Sequence, residues 1–226
     1  MRAVEVNGVV TSVGYMNRYR ASVRRARSLL AGEQVLGFSA HWIGAAYRVP
    51  WCGDPALSGG QINEQCTHVV DLARHLVGEV VDVDASAQPH PEGKGFASVS
   101  VLLRFETGAL GTLLCGCLAQ EKQIGCRVFT VRGQIALEGW DFKWSPSPVF
   151  GDGSDLEPAQ DVFLQECAAF LGATASGNTE AIRCDLKDAL ETQQVVDAIR
   201  SVLADHGLPD LLDVPLAERD HAVASG

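Results

Sequence analysis

Between Val80 and Glu138 the chain reads as five strand-length runs in close succession: Val80 to Ala87, Phe96 to Phe105, Ala109 to Cys117, Gly125 to Val131 and Gln134 to Glu138. They are rich in β-branched and aromatic residues, and Glu106-Thr107-Gly108 and Arg132-Gly133 are short enough to be hairpin turns. This pattern predicts an α+β fold built on one large, open, mainly antiparallel sheet. Alternation is weak in Val99 to Leu103 and in Leu110 to Leu114, so both faces of the sheet carry apolar residues. Helices cover one face, and the chain has few to spare for the other. A homo-oligomer formed through the open sheet face is therefore expected.

The best-defined helix precedes the sheet, in Ser58-Gly-Gly-Gln-Ile-Asn-Glu-Gln-Cys-Thr-His-Val-Val-Asp-Leu-Ala-Arg-His-Leu-Val-Gly78. At helical spacing Ile62, Cys66, Val69, Val70, Ala73, Leu76 and Val77 fall on one half, which is the core side. Glu64, His68, Asp71 and His75, at i, i+4, i+7 and i+11, form a narrow titratable stripe on the other. The Gly59-Gly60 pair beside it allows a ligand to approach the backbone closely. Two plain readings of the stripe stand beside a catalytic one: a solvated helix flank, and a metal site made from paired His and carboxylate groups.

Upstream, Arg2 to Asn7 with Gly8 reads as a short helix and its glycine stop, and Val9 to Met16 as a buried strand. Arg18, Arg20, Arg24, Arg25 and Arg27 cluster on and before a helix from Ala21 to Ala31. Either they make a solvated face, or Arg18 or Arg20 contacts an anion. Val35 to Ile43 reads as a strand, and Gly44 to Gly60 as irregular chain. Trp42, Tyr47 and Trp51 there suit one wall of a small-molecule pocket, or anchor the loop on the core. Pro146 to Pro158 reads as a mobile loop, Asp161 to Ala175 and Asp185 to Asp205 as helices, and Leu211 to Pro215 as a last short strand.

Of the 226 residues, 46% are hydrophobic and 20% charged, enough for a sizeable core, and the net charge is -10. That charge argues against nucleic-acid or anionic-membrane partners. No apolar run reaches the roughly 18 residues of a membrane span, and the first residues lack the apolar core of a signal peptide. The chain is expected to be cytoplasmic. The cysteines at 52, 66, 115, 117, 126, 167 and 184 include no Cys-x-x-Cys, which fits buried, reduced thiols. Cys115 and Cys117 share a strand face, but core packing accounts for them better than a metal or a disulfide.

Several blocks together resemble a known family. They are Val13-Gly-Tyr-Met-Asn-Arg-Tyr19, Trp51, Ser58-Gly-Gly, Glu64-Gln, His68-Val-Val-Asp71-Leu-Ala-Arg74, Leu76-Val-Gly78, Phe105-Glu-Thr-Gly108 and Asp188-Ala-Leu190-Glu-Thr. In order and spacing they look like the carboxy-terminal part of the Gfo/Idh/MocA oxidoreductases. The resemblance implies a substrate-binding and oligomerisation domain. In the whole proteins it follows a dinucleotide-binding domain and serves NAD(P)-dependent chemistry at a hydroxyl-bearing carbon of sugars and polyols. It further implies His68 as the proton-transfer group, with Glu64 where the family more often has Asp. Substrate contacts are expected from Arg18, Tyr19, Trp51, Gly59, Gly60, Asn63 and Asp71. An imidazole that titrates near neutrality suits the task, and a carboxylate one turn away can orient it.

Neither Gly-x-Gly-x-x-Gly after a strand nor a Glu-Lys-Pro motif occurs in this sequence. The expectation is therefore that residues 1 to 17 are the end of a dinucleotide-binding domain, 18 to 216 the substrate domain and 217 to 226 a tail. The chain alone is expected to bind no cofactor or metal, taking NAD(P) only when completed by a dinucleotide-binding domain, upstream or on a separate chain. Its expected ligand is a small polyhydroxylated molecule. Two alternatives remain: a stand-alone lyase, isomerase or cyclase using His68 and Glu64 without a cofactor, and a non-catalytic scaffold.

Overall fold

The computed structural model describes residues 1–45, 49, 51, 55–91 and 95–208. Seven strands form one sheet in the order β2-β3-β4-β1-β5-β6-β7. They are β1 (Val35–Ala45), β2 (Val80–Pro89), β3 (Phe96–Phe105), β4 (Leu110–Gly116), β5 (Leu118–Thr130), β6 (Gln134–Glu138) and β7 (Lys143–Ser145). All neighbours are antiparallel except β1 and β4, which run parallel in the register Phe38 to Gly111 and Trp42 to Cys115. The helices are α1 (Arg2–Asn7), a 3-10 turn (Met16–Tyr19), α2 (Ala21–Leu30), α3 (Pro55–Ser58), a π-turn (Ile62–Cys66), α4 (Thr67–Val77), α5 (Val162–Ser176) and α6 (Leu186–Asp205).

One sheet face makes the core. Phe38, Ala40 and Trp42 of β1, Val99, Val101 and Leu103 of β3, Leu113 and Cys115 of β4 and Val128 of β5 alternate inward at period two. Against them pack Val23, Ala26 and Leu30 of α2, Val69, Val70, Leu72, Ala73 and Leu76 of α4, and Val196, Ile199 and Leu203 of α6. Each of the larger side chains contributes about 1.5–3 kcal/mol of burial. The opposite face has no helix over it among the described residues, and Leu102, Leu110, Leu114 and Phe129 lie exposed on it. The open α+β sheet is as the sequence pattern predicts.

Four details depart from expectation. Residues 9–15 form no strand and lead into the 3-10 turn; their β-branched side chains meet no strand edge, and Val13 makes one bridging bond, N–H to the Cys184 carbonyl at 3.0 Å. β5 begins at Leu118 rather than Gly125, with Gln123 opposite Ile43 and Leu118 opposite Ala45 across a register irregularity. The helix from Ser58 to Gly78 is broken in register by the π-turn, which the helical wheel does not anticipate. Pro146 to Pro158 is pinned rather than loose: Arg25 pairs with Asp155, Arg24 with Glu157 at 2.5 Å, and the Trp144 indole N–H donates to the Gly151 carbonyl. Tyr47, the turn at 52–54, the strand expected at 211–215 and the tail lie outside the described residues.

Candidate functional site

The site sits where the helix containing His68 begins, at the end of the sheet that carries Trp42. Gly59 and Gly60 precede it with φ of 81° and 73°, in the left-handed region. A Cβ on Gly59 would lie 2.5 Å from Asn63 Nδ2, so the glycine admits the Asn63 side chain against the backbone. Asn63 in turn accepts a hydrogen bond from Gln193 of α6 at 3.4 Å. The π-turn then inserts an extra residue into the helical repeat, rotating Glu64 away from the position an unbroken helix would give it over His68. Glu64 is half-buried. Burial raises its carboxyl above the usual range, while a bond with Gln65 and the charge of Lys122 pull it back.

His68 stacks on Trp42, ring centroids 5.4 Å apart and planes 21° from parallel, and meets the Tyr15 ring edge-on at 6.0 Å. Tyr15 is fixed by a 3.0 Å bond between its hydroxyl and that of Thr67. Trp42 packs edge-to-face on Trp140 at 5.7 Å, and the Lys122 ammonium lies 4.6 Å from the Trp140 ring centre. Nδ1 of His68 and Nε1 of Trp42 are buried without a hydrogen-bond partner. The imidazole is only part-covered. Burial lowers the His68 pKa to about 4, so the ring is neutral at physiological pH.

Arg18 and Asp71 meet in the core rather than at a surface. The Arg18 guanidinium donates from Nε at 3.0 Å and from Nη2 at 2.6 Å to the Asp71 carboxylate, and from Nη1 to the Arg183 carbonyl and to Asp188. Thr192 donates its hydroxyl to Asp71 at 3.3 Å, and Arg74 ties Asp188 and Thr192 to Glu79. Burial pushes Asp71 up to about 6 against the pull of Arg18, which leaves it ionised at neutral pH. The network joins α4 and α6 to the turn before α2. Instead of a solvent-facing stripe, the helix has Asp71 sealed inside. His75, near the other end, accepts from Arg27 at Nδ1 over 2.8 Å, and burial lowers it to about 3. Tyr19 is buried, its hydroxyl accepting the Arg183 N–H. Trp51 is half exposed. Glu64, His68, Asn63, Gly59 and Gly60 thus share one end of a helix, while Arg18, Asp71 and Tyr19 lie in the packed layer beneath.

Sequence reasoning passed over Tyr15, Trp140 and Lys122. Lys122 lies on β5 and Trp140 in the turn between β6 and β7, and the place of Lys122 in a strand is visible only once β5 is extended back to Leu118. Glu166 on α5 is a further half-buried carboxyl raised by burial, with Oε1 lacking a partner. Cys66, Cys115, Cys126 and Cys184 are buried free thiols. Among the described residues no three His, Cys, Asp or Glu converge to hold a metal, and no helix is long and apolar enough to cross a membrane.

The GFO/IDH/MocA C-terminal domain matches residues 23–136, just over half of the chain. The chain belongs to that family. Solved structures agree on the fold. The UDP-N-acetylglucosamine 3-dehydrogenase GnnA from Acidithiobacillus ferrooxidans superposes with a TM-score of 0.75 at 17% identity, over 88% of this chain and 63% of its own. Levoglucosan dehydrogenase in complex with NADH and L-sorbose gives 0.71 at 20%, over 90% and 67%. The WlbA dehydrogenase from Bordetella pertussis, in complex with NADH and UDP-GlcNAcA, gives 0.71 at 18%, over 91% and 64%. This chain therefore spans about two thirds of the length of these structures. No curated protein matches its sequence. Among the described residues no strand passes through a glycine-rich turn directly into a helix, as a pyrophosphate cradle requires.

Proposed function

We propose that this chain is the substrate-binding and proton-handling part of a sugar or polyol oxidoreductase. Residues 1–17 belong with a dinucleotide-binding domain that lies upstream or on another polypeptide. The observation that carries the reading is the setting of His68: a neutral imidazole held between Trp42 and Tyr15 with Nδ1 buried, on the helix that follows the π-turn bearing Glu64. Aromatic and small residues around a part-open proton acceptor suit a polyhydroxylated ligand.

In this reading Nε2 of His68 takes the proton of the reacting hydroxyl, and Glu64 and Asn63 accept or donate bonds to its neighbours. Gly59 lets the Asn63 side chain seat against the backbone. Arg18 and Asp71 hold α4 in place from below, so their role is positioning. The open sheet face pairs two copies of the chain.

Calorimetric titration of the chain with D-glucose and with NAD(P) tests the division of labour. Weak but measurable sugar binding, lost in His68→Ala, is expected, together with no binding of the dinucleotide. Micromolar NAD(P) affinity in the isolated chain would overturn it.

A further inference from the structure

A cavity of about 910 Å³ opens where α4 stops at Gly78, beside the last turn of α2 and the chain that leads into α6. His75 lines it, and His68, seven residues earlier and so about 10 Å back along the helix, does not. Arg18, Arg24, Arg27, Arg74 and Arg183 line it too, against Glu79, Glu106 and Asp188. In a chain of net charge -10 this is a local excess of positive charge. The arginine cluster of residues 18 to 27 divides here. Arg18 is taken up by Asp71 and Asp188, Arg20 by Asp141, Arg24 by Glu157 and Arg25 by Asp155. Arg27 has no carboxylate partner among the described residues. Its Nη1 is held by neutral acceptors instead, donating to the His75 carbonyl at 2.6 Å and to His75 Nδ1 at 2.8 Å. The guanidinium is thus fixed in place with its charge uncompensated.

Arg183 is a second such cation. Its backbone is clamped on both sides: its N–H donates to the Tyr19 hydroxyl at 3.1 Å, and its carbonyl accepts from Arg18 Nη1 at 2.9 Å. Its side chain is exposed and makes no hydrogen bond or ion pair among the described residues. Both arginines bear on the same imidazole, since burial and then the charges of Arg18, Arg27 and Arg183 oppose a proton on His75. The carboxylates of the cavity do not cancel them. Glu79 is bound to Arg74, and Asp188 to Arg74 and Arg18, which leaves the exposed Glu106. Two guanidinium forks on one cavity suit a phosphate, whose tetrahedral oxygens can meet both, better than a carboxylate, whose two oxygens satisfy one. The cavity is far larger than a phosphate ion, and Leu30, Val77 and Ile182 give it an apolar wall for an organic group.

We infer that this cavity binds a small phosphomonoester, its phosphate held between Arg27 and Arg183, at a site separate from the one around His68. The inference goes beyond the polyol reading and does not depend on it. Phenyl phosphate and inorganic phosphate, which share the anion and differ in the organic group, are the probes, titrated calorimetrically into the whole chain.

Wild type is expected to bind phenyl phosphate, and more tightly than inorganic phosphate. Arg27→Met and Arg183→Met should each weaken that binding at least about tenfold, the loss of one charge-assisted contact. Arg183→Lys should recover only part of it, since an ammonium lacks the fork. Arg27→Met also removes a tie to the last turn of α4, so it should melt earlier. Arg183→Met removes no bond and should melt with the wild type, which separates binding from folding. Arg132→Met, the same charge change at an arginine that pairs with Glu33 and does not line the cavity, should leave binding unchanged. Full affinity in Arg183→Met, an equal loss in Arg132→Met, or no binding of phenyl phosphate to the wild type overturns the site. Equal affinity for the two probes overturns the ester and makes free phosphate the ligand.

Discussion

The imidazole of His68 lies against the indole of Trp42, 5.4 Å between ring centres and 21° from parallel. One residue comes from the helix, the other from the central strand, so this contact is where the helical layer and the sheet are locked together at the site. It fixes the ring plane, and Tyr15 edge-on at 6.0 Å fixes its rotation. It also removes water from Nδ1 without replacing it, since that nitrogen has no partner. The same packing that orients the base therefore keeps it neutral.

That coupling has a measurable sign. The His68 pKa falls from 6.5 in the unfolded chain to about 4 in the fold. Between those values the unfolded state binds more protons, so stability is lost as pH falls through this window and is unaffected above it. Asp71, raised by burial to about 6, runs the other way over an overlapping window, losing stability as pH rises. His68→Leu retains Asp71 and lacks the histidine. Its unfolding free energy relative to wild type should therefore shift by about 3 kcal/mol in the variant's favour between pH 7 and pH 4, read from urea melts. A pH-independent difference would mean the ring is solvated.

Asp71 and Arg18 form a buried pair with side chains only 1% and 4% exposed. Removing one partner strands the other charge in the core, which costs about 3–5 kcal/mol. Asp71→Asn and Arg18→Met should each lower stability by about that amount, and the double variant should lose less than the sum. Strictly additive losses in a denaturation cycle would place both side chains in water.

How much of this was legible beforehand follows from which forces are local. Runs of apolar and β-branched residues bounded by short turns mark β3, β4 and β6 to within about a residue, because strand composition and turn chemistry are local. Helices α2, α4 and α6 were equally visible from their apolar spacing and glycine stops. The parallel pairing of β1 with β4 was not, since it depends on contacts between distant segments. The start of β5 at Leu118 was not legible either, since the run 120–123 is polar and its membership of the strand rests on Gln123 and Leu118 pairing with β1. At the site, the helix bearing Glu64 and His68 could be read, but Trp42, which stacks on His68, comes from the distant strand β1, and Trp140 behind it from the turn after β6. The π-turn has no compositional signature at all, and Asp71 looked like part of a solvent-facing stripe because its partner Arg18 is distant in sequence.

Gly59 offers a test of the turn that opens this helix. At φ 81° any other residue is strained, and its Cβ would collide with Asn63. Gly59→Ala should cost about 1–3 kcal/mol, combining the left-handed backbone penalty with displacement of Asn63. Because Asn63 adjoins Glu64, sugar binding should weaken as well. By contrast Gly172→Ala, in the middle of α5 with open space around its Cβ position, should be neutral or stabilising by about 1 kcal/mol. Equal effects at the two positions would show that the turn does not constrain the site.

The uncovered face of the sheet supports the last prediction. Leu114 is 46% exposed and pairs across the sheet with Ser100 and His41, while Leu102, Leu110 and Phe129 lie on the same surface among Ser39, Thr112 and Arg127. Short polar side chains between exposed leucines leave a surface flat enough for a second sheet to pack on it, with the leucines as anchors. A lysine at the centre would place unpaired charge in that contact. Leu114→Lys should therefore raise the dissociation constant of a dimer at least about tenfold, seen in sedimentation equilibrium, with the fold intact by circular dichroism. Leu164→Lys, on the more exposed Leu164 of α5, should leave assembly unchanged. If both variants sediment like the wild type, the sheet face is not where copies of the chain meet; if Leu164→Lys alone dissociates it, the contact runs through α5.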